Sequence, residues 1–307
     1  MTELTRRSLL ASAAAGTVLG SATATSASAT RGQDSPAPPA PAKSDDDRPL
    51  AGLKTRFACN IEMWYRTLGF LDRIRAAHEA GFPAIEFWPW RKKPLDDIAE
   101  LTGELGIEVA QFTAWGFVPG MNDPKNHDRF VEEVEASCEA AKKLRCRKMT
   151  IVAGNDQPGM TQREMHDHVI AACKRAAPIC EDHGVMMILE AMNIRVDHKG
   201  HCLYGSEGAI RICREVASPM CKINWDLYHM QISEGDLCGH MREGFDQIGY
   251  LQLADHPGRR EPGTGEIHYP RVLKQAYDLG YRDFVGCECN PTEDKAAVAA
   301  LVRASAF

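Results

Sequence analysis

The 307-residue sequence contains little that would bind a nucleic acid. Its formal net charge is −6, and no cluster of Lys and Arg is interleaved with aromatic residues. The segment 152–159 (VAGNDQPG) lacks the spacing and the Gly-Lys-Ser/Thr ending of a phosphate-binding loop. There is also no Gly-x-Ser-x-Gly motif and no Cys or His setting typical of a covalent nucleophile. These absences argue against nucleic-acid binding, a nucleotide cofactor and triad hydrolysis, and they favour a small-molecule partner.

The eleven cysteines form no C-x-x-C pair and repeat no spacing. A disulfide framework or a thiolate metal site would show regular spacings. Scattered single cysteines are more typical of small buried apolar side chains. We therefore expect the thiols to lie in the core, with pairing of some of them left open.

The apolar run near the amino terminus, residues 9–20, is too short to span a bilayer. It is rich in Ala, Gly and Ser and falls below the roughly 20 apolar residues that a spanning helix needs. Paired arginines, Arg6 and Arg7, precede it and an Ala-Ser-Ala sequence ends at Ala29, so residues 1–29 resemble a twin-arginine signal peptide. We expect export to the periplasm or cell exterior, with a membrane tether if the signal is not cleaved and no stable membrane insertion of the mature domain.

The remainder of the chain divides into a linker and one domain. Residues 30–54 are rich in Pro, Ala and Asp and predict a disordered linker. In residues 55–307, short runs rich in Val, Ile, Phe and Met alternate with segments whose apolar residues recur every three or four positions. Eight runs indicate strands: 56–61, 84–88, 108–115, 148–154, 185–191, 222–228, 248–254 and 284–290. Eight strand–helix units predict a single (β/α)8 TIM barrel of the α/β class rather than an open sheet.

Polar side chains end four consecutive predicted strands. Glu190, Asp226, Gln252 and Glu288 follow strands five to eight at separations of 36, 26 and 36 residues. The carboxyl ends of barrel strands surround one mouth, so three carboxylates and one amide oxygen should converge there. Such oxygen ligands suit a hard divalent cation, Mg²⁺ or Mn²⁺, which would relieve the repulsion among the carboxylates.

Three further residues are expected at the same mouth. His229 stands just past strand six and is a candidate hydrogen-bond donor to a substrate oxygen. Glu86, which ends strand two, and Arg195, which follows strand five, are candidate substrate contacts, with stabilisation of a loop as the alternative for each.

Three segments resemble the hydroxypyruvate isomerases, members of the xylose isomerase-like barrel superfamily. They are INWDLYHMQISEGDL (223–237), LQLADHPGRREPGTGEIHYP (251–270) and GYRDFVGCEC (280–289), and the resemblance extends from about residue 56 to 290. It implies an aldose–ketose isomerase that interconverts hydroxypyruvate and 2-hydroxy-3-oxopropanoate. It also implies that Glu190 and Glu288 are acid/base groups that bind a metal, and that Asp226 and Gln252 match the ligands of strands six and seven.

The reaction itself indicates roles for these residues. Moving a carbonyl to the adjacent carbon needs a base, stabilisation of an enediolate oxygen, and an acid. Two carboxylates and one cation meet these needs, so we predict that Glu190 and Glu288 exchange the base and acid roles while His229 assists a substrate oxygen. A carboxylated substrate also needs a cationic clamp, for which Arg259, Arg260 and Arg195 are candidates. His256 and Glu266 complete the predicted substrate residues, in a loop (254–270) that prolines and glycines restrict.

Three other functions remain open on the sequence. A C3-epimerase or isomerase of a larger ketose or an inositol-derived sugar would need the same pair of glutamates. Metal-dependent phosphodiester cleavage occurs on this barrel, although the acidic chain argues against it. An exported sugar-acid binding barrel without turnover is the non-enzymatic alternative. The partner is a small polyhydroxy carbonyl compound in the favoured hypothesis, and the oligomeric state is open, a homo-oligomer included.

Overall fold

The computed structural model describes residues 48–307. Residues 1–47, which contain the predicted export signal and most of the predicted linker, lie outside the described residues. Leu50 is 3% exposed and packs in the main hydrophobic core, so the folded part begins before the boundary at residue 55 that the sequence suggested. Within residues 48–307, no helix is long and apolar enough to cross a membrane.

The described residues form a closed barrel of eight parallel strands, each paired with the next and β8 paired with β1. The strands are β1 Arg56–Asn60, β2 Ala84–Phe87, β3 Glu108–Trp115, β4 Lys148–Val152, β5 Met186–Glu190, β6 Cys221–Asp226, β7 Ile248–Gln252 and β8 Phe284–Cys287. The helices are α1 Phe70–Glu79, α2 Leu95–Leu105, α3 His127–Leu144, α4 Gln162–His183, α5 Ser206–Val216, α6 Leu227–Ser233, α7 Leu237–Gly244, α8 Tyr269–Leu279 and α9 Asp294–Ala304. The predicted TIM barrel is confirmed.

Local sequence explains where the helices begin and end. Thr161 and Glu164 form a reciprocal capping box at the start of α4, which satisfies backbone N–H groups that have no partner within the helix. The same helix ends at Gly184, whose φ of 65° is the left-handed conformation that glycine adopts at low cost. Because the capping box places the start of α4 at Gln162, the helix begins six residues before the apolar pattern at 168–184 that predicted it.

The barrel interior changes from apolar to polar along the strands. A small apolar cluster fills its lower part: Ala58, Ala84, Ala110, Ile188, Tyr250 and Phe284. Two positions further along their strands, Asn60, Glu86, Glu190 and Gln252 are all buried. Because side chains of a strand alternate between its two faces, these residues point to the same side as the apolar cluster. The candidate site is therefore built on a packed apolar floor.

The cysteines lie where the sequence placed them. All eleven are free thiols, ten are buried, and Cys238 is partly exposed. The expectation of small buried apolar side chains is confirmed for these residues.

Candidate active site

Four titratable side chains converge at the carboxyl ends of β5, β6 and β8. One ligand atom each from Glu190, Asp226, His229 and Glu288 lies within 4.8 Å of all the others. None of the four residues is more than 6% exposed. The structure thus brings together the three carboxylates that the sequence predicted as metal ligands, and it adds the predicted substrate residue His229.

Asp226 ends β6 because its side chain also begins the next helix. One carboxylate oxygen, Oδ1, accepts a hydrogen bond of 2.8 Å from the backbone N–H of Tyr228 and caps α6. The strand therefore stops at Asp226, two residues before its predicted end. The other oxygen, Oδ2, is buried without a hydrogen-bond partner in the described residues. Burial, and then the charge of Glu288, raise the pKa of Asp226 to about 7.

Glu288 is held by two donors, one of which the sequence did not suggest. The indole N–H of Trp88 donates to Oε1 at 2.7 Å, and Nη2 of Arg259 donates to Oε2 at 2.7 Å. Trp88 stands two residues after Glu86 in the run AIEFW, and an aromatic residue directly after a strand was the only signal for it. Both oxygens of Glu288 therefore accept hydrogen bonds from neighbouring side chains.

Arg259 partly neutralises the cluster. Its Nη2 lies 3.8 Å from Oδ2 of Asp226, in addition to its bond with Glu288. The side chain is 17% exposed and its guanidinium lies 5.1 Å from the ring centroid of Tyr228. Burial lowers the pKa of Arg259, but the charges of Glu288, Asp226 and Glu190 outweigh this effect, and the pKa is raised overall. The predicted clamp residue therefore faces the carboxylates of the protein itself.

One arginine does not balance three carboxylates. Burial, followed by the charges of Glu288 and Asp226, raises the pKa of Glu190 well above its usual value. Ionising the whole cluster is therefore costly unless more positive charge is present. A divalent cation would supply that charge.

The surroundings of His229 determine its protonation and role. Oδ1 of Asn193 accepts the backbone N–H groups of Val196 and Asp197, at 3.0 and 3.1 Å, so the NH₂ group of Asn193 must face His229. That NH₂ group lies 2.7 Å from Nδ1 of His229, which is therefore the acceptor. Burial lowers the pKa of His229 well below its usual value, so the ring is neutral and its proton is on Nε2.

A protonated Nε2 cannot bind a metal, although its position would allow it. Nε2 lies 3.7 Å from Glu190 and 3.6 Å from Asp226, and it has no hydrogen-bond partner in the described residues. We therefore interpret His229 as a hydrogen-bond donor whose Nε2–H group is available to a substrate oxygen, which is the role that the sequence predicted. The sequence analysis did not identify Asn193, which fixes this tautomer. Its position three residues after Glu190 was the only sequence signal for its role.

Gln252 lies on β7 next to Asp226, with which it pairs in the strand register. Its Oε1 accepts a hydrogen bond of 2.6 Å from Asn224, and its NH₂ group donates to Glu86 at 2.9 Å. An amide oxygen has two lone pairs, so the bond with Asn224 leaves one lone pair for a cation. Glu190, Asp226 and Glu288, whose ligand atoms lie within 4.8 Å of one another, fit a hard divalent cation, and the unpartnered Oδ2 of Asp226 supports that fit. Gln252 stays the predicted fourth ligand.

A cavity of about 530 Å³ lies beside this cluster, although none of the four converging side chains lines it. The two donors to Glu288, Trp88 and Arg259, are in its wall. The rest of the wall consists of Glu62, Met63, Arg66, Val196, Asp197, Tyr228, Gly258 and Asn290. A larger cavity of about 870 Å³ lies on the outer surface beside α4, α5 and α7 and contains none of the converging side chains.

Four predicted substrate residues lie elsewhere. Glu86 is 0% exposed and is bonded inside the barrel below the mouth, because four neighbouring side chains donate to it. His256 lies in the loop after β7 with its ring 5.9 Å from that of Tyr228. Glu266 and Arg195 are exposed, and Glu266 accepts a hydrogen bond from Gln231. None of these four lines the cavity of about 530 Å³, whose wall is formed by other residues.

The structure thus combines a closed TIM barrel with a buried acidic cluster at the carboxyl ends of its strands. The family model described as "Xylose isomerase-like TIM barrel" matches residues 74–304. A hydroxypyruvate isomerase from Escherichia coli K12 is 31% identical, over 77% of this chain and 93% of the relative. The chain therefore belongs to the hydroxypyruvate isomerase family within the xylose isomerase-like TIM barrels.

Two further proteins are similar to this chain. A 2-oxo-tetronate isomerase from Pectobacterium atrosepticum is 29% identical over 78% of this chain and 94% of the relative. A crystal structure titled AP endonuclease, family 2, from Brucella melitensis has a TM-score of 0.76 and 27% identity, over 81% of this chain and 98% of that chain. The prediction of an isomerase is confirmed by the relatives that are named isomerases.

Proposed function

We propose that the protein isomerises hydroxypyruvate to 2-hydroxy-3-oxopropanoate by proton transfer through an enediolate. The observation that carries this proposal is the convergence of Glu190 and Glu288 on one buried point beside the N–H group of His229. The names of the relatives at about 30% identity support the choice of substrate class.

The contacts divide the chemical roles between the two glutamates. Glu288, with a hydrogen bond to each oxygen, is the carboxylate that removes the proton from the hydroxyl-bearing carbon. Glu190, whose carboxylate lies within 4.8 Å of that of Glu288, is the group that returns a proton to the neighbouring carbon. The hydroxyl proton of the substrate passes to the former carbonyl oxygen, which becomes the new hydroxyl group, and the two carboxyl groups regain their starting protonation by exchange with water. The roles reverse in the other direction of the reaction.

The substrate oxygens need stabilisation while the carbonyl moves. Nε2 of His229 donates to one of them, and its lack of another partner leaves it free to do so. A divalent cation held by Glu190, Asp226, Gln252 and Glu288, Mg²⁺ or Mn²⁺, would polarise these oxygens as a Lewis acid. Trp88 and Arg259 hold Glu288 in place through their hydrogen bonds.

Arg66 is the cation best placed to bind the substrate carboxylate. The acidic cluster repels the carboxylate of the substrate, so the substrate carboxylate must face away from the cluster, into the cavity. Of the two arginines in the cavity wall, Arg259 is bonded to Glu288, whereas the Arg66 guanidinium makes no ion pair or hydrogen bond with residues 48–307. Arg73 donates to the carbonyl groups of Ile61 and Leu68, at 2.9 and 3.1 Å, and orders the loop that carries Arg66.

Replacing Arg66 with Ala is expected to raise the KM for hydroxypyruvate about tenfold or more with little change in kcat, because a charge-assisted hydrogen bond of about 1.5–3 kcal/mol is lost. Arg195→Ala is the control, since it removes the same charge from an exposed position outside the cavity wall. Steady-state kinetics of the two variants measure the difference. Equal KM values for Arg66→Ala and the wild type would assign the carboxylate to another group.

Turnover in D₂O tests the proposed reaction. Solvent deuterium is expected at the former carbonyl carbon of the product, because the proton passes through a carboxyl group that exchanges with water. NMR of the product measures the label. Complete retention of the substrate hydrogen would indicate a hydride shift instead, and absence of turnover on hydroxypyruvate with Mg²⁺ or Mn²⁺ present would contradict the substrate.

A second candidate is the isomerisation of a four-carbon 2-oxo acid. Relatives named 2-oxo-tetronate isomerase, 29% and 30% identical, favour it. It uses the same glutamates and the same carboxylate contact. Comparing kcat/KM for 2-oxo-tetronate and hydroxypyruvate, with a neutral ketose as a third substrate, decides between the candidates and also tests the larger-ketose alternative.

A further inference from the structure

The carboxylate of Glu86 accepts four side-chain hydrogen bonds inside the barrel. Its Oε1 accepts from the amides of Asn60 at 3.0 Å and Gln252 at 2.9 Å. Its Oε2 accepts from the hydroxyl of Tyr250 at 2.8 Å and from the amide of Gln111 at 3.2 Å. The four donors come from β1, β3 and β7, so Glu86 on β2 connects strands on both sides of the barrel axis.

Strand β8, which only β1 separates from β2, leaves room for this carboxylate. A Cβ atom at Gly286 on β8 would lie 2.3 Å from Oε2 of Glu86 and 2.7 Å from its carboxyl carbon. Only a residue without a side chain fits there. Position 286 therefore makes space for a carboxylate that does not line the cavity of about 530 Å³ and that the proposed reaction does not use.

Two bonds determine which way the amide of Gln252 points. Glu86 offers only acceptor atoms to it, and Asn224 offers an NH₂ group. Rotating the amide by half a turn would place its oxygen against the carboxylate of Glu86 and its NH₂ group against another NH₂ group. Both contacts would then be repulsive, so the amide is fixed with its oxygen away from Glu86.

We propose that Glu86 is a positioning residue, which holds the amide oxygen of Gln252 where it can bind the cation of the site. This inference rests on the proposed cation site, because Gln252 matters here as a ligand. Asn60, Gln111 and Tyr250 hold the carboxylate still, and Gln252 transmits its position to the level of Asp226. Partners that orient metal ligands in this way typically change metal affinity by about 10–100-fold when they are removed.

Glu86→Gln is the direct perturbation. A glutamine offers one acceptor oxygen and one NH₂ group to four donors, so donors lose partners whichever way it points, and Gln252 keeps its acceptor in only one of the two orientations. We expect the dissociation constant for Mn²⁺, measured by electron paramagnetic resonance on the full chain without substrate, to rise about 10–100-fold. At saturating Mn²⁺, most of the lost kcat should return.

A double-mutant cycle separates this role from a general effect on folding. Gln252→Ala is expected to weaken Mn²⁺ binding by a similar factor, and Glu86→Gln in that background should add less than about threefold, because the residue through which Glu86 acts is absent. Tyr250→Phe is the matched control: it removes another donor to Glu86 and leaves the Gln252 bond, so the Mn²⁺ affinity should stay within about threefold. Circular dichroism verifies the fold of each variant.

The outcomes are distinguishable. The cation site stands if Mn²⁺ binds to the wild type and Asp226→Asn abolishes binding. In that case the positioning role is wrong if the effects of Glu86→Gln and Gln252→Ala multiply, or if Glu86→Gln binds Mn²⁺ like the wild type. If the wild type binds no Mn²⁺, the cation site and this inference fail together. If Glu86→Gln does not fold, the same cycle with Glu86→Asp decides, because aspartate keeps the charge and is too short to reach Gln252.

Discussion

Replacing Glu288 or Glu190 with Gln is expected to lower kcat by about 10³-fold or more, because each substitution removes a group that must accept or donate a proton in the reaction. The loss should appear in kcat and in kcat/KM alike, since the lost interaction belongs to the transition state. Steady-state assays with hydroxypyruvate under saturating Mn²⁺ measure it. Saturation matters, because both residues are also proposed metal ligands.

The fold of these two variants should survive. Glutamine has nearly the same shape as glutamate, and it removes a negative charge from a cluster in which burial raises the pKa of Glu190 well above its usual value. Without a cation, the melting temperature of Glu190→Gln should equal or exceed that of the wild type. Glu288→Gln places an NH₂ group against a donor, Trp88 or Arg259, so its melting temperature should fall although the protein still folds. Glu234→Gln is the control for a Glu-to-Gln substitution outside the cluster, because the Glu234 carboxylate accepts hydrogen bonds from the backbone N–H of Ser206 on the outer surface. A Glu288→Gln enzyme with full activity would contradict the proposed mechanism.

Gly286→Ala is expected to destabilise the protein by about 2–3 kcal/mol, the upper part of the range for overpacking a filled core. The new methyl group would lie 2.3 Å from a carboxylate oxygen of Glu86. That carboxylate cannot withdraw without breaking some of its four hydrogen bonds, one of them the 2.8 Å bond from Tyr250. Urea unfolding at fixed pH, with a chelator present, measures the free energy of unfolding.

Gly116→Ala supplies the comparison for this substitution. Gly116 follows β3, is exposed, has no atom within 4 Å of an added Cβ and is not in the left-handed region. Its replacement should change the free energy of unfolding by less than about 0.5 kcal/mol. If Gly286→Ala is equally harmless, the Glu86 carboxylate moves easily, and the close approach of β8 to β2 is not a constraint.

The barrel could be predicted from the sequence because its strands are buried on both faces. Parallel strands under a layer of helices appear as short continuous apolar runs, and all eight runs lie within a few residues of the observed strands. The convergence of Glu190, Asp226 and Glu288 was predictable for a related reason. The carboxyl ends of barrel strands share one mouth, so polar residues at consecutive strand ends must meet.

Glu86 shows where that reasoning stops. It also ends an apolar run, yet it lies below the mouth inside the barrel. Four side chains from other strands hold it there, among them Tyr250, which belongs to the apolar cluster in the lower part of the barrel. Gly286, on a strand distant in sequence, then provides the space that lets the carboxylate stay there.

The sequence by itself determined the family, the eight strands, and the carboxylates and amide at the ends of β5 to β8, because these features depend on the order of residues along each strand. Only the tertiary structure decided that Asn193 fixes the proton of His229, that Trp88 and Arg259 hold Glu288, and that Arg66 rather than Arg195 lines the cavity. Those contacts join residues up to 200 positions apart. Their distances depend on how the strands stagger and the loops fold, which no local pattern in the chain encodes.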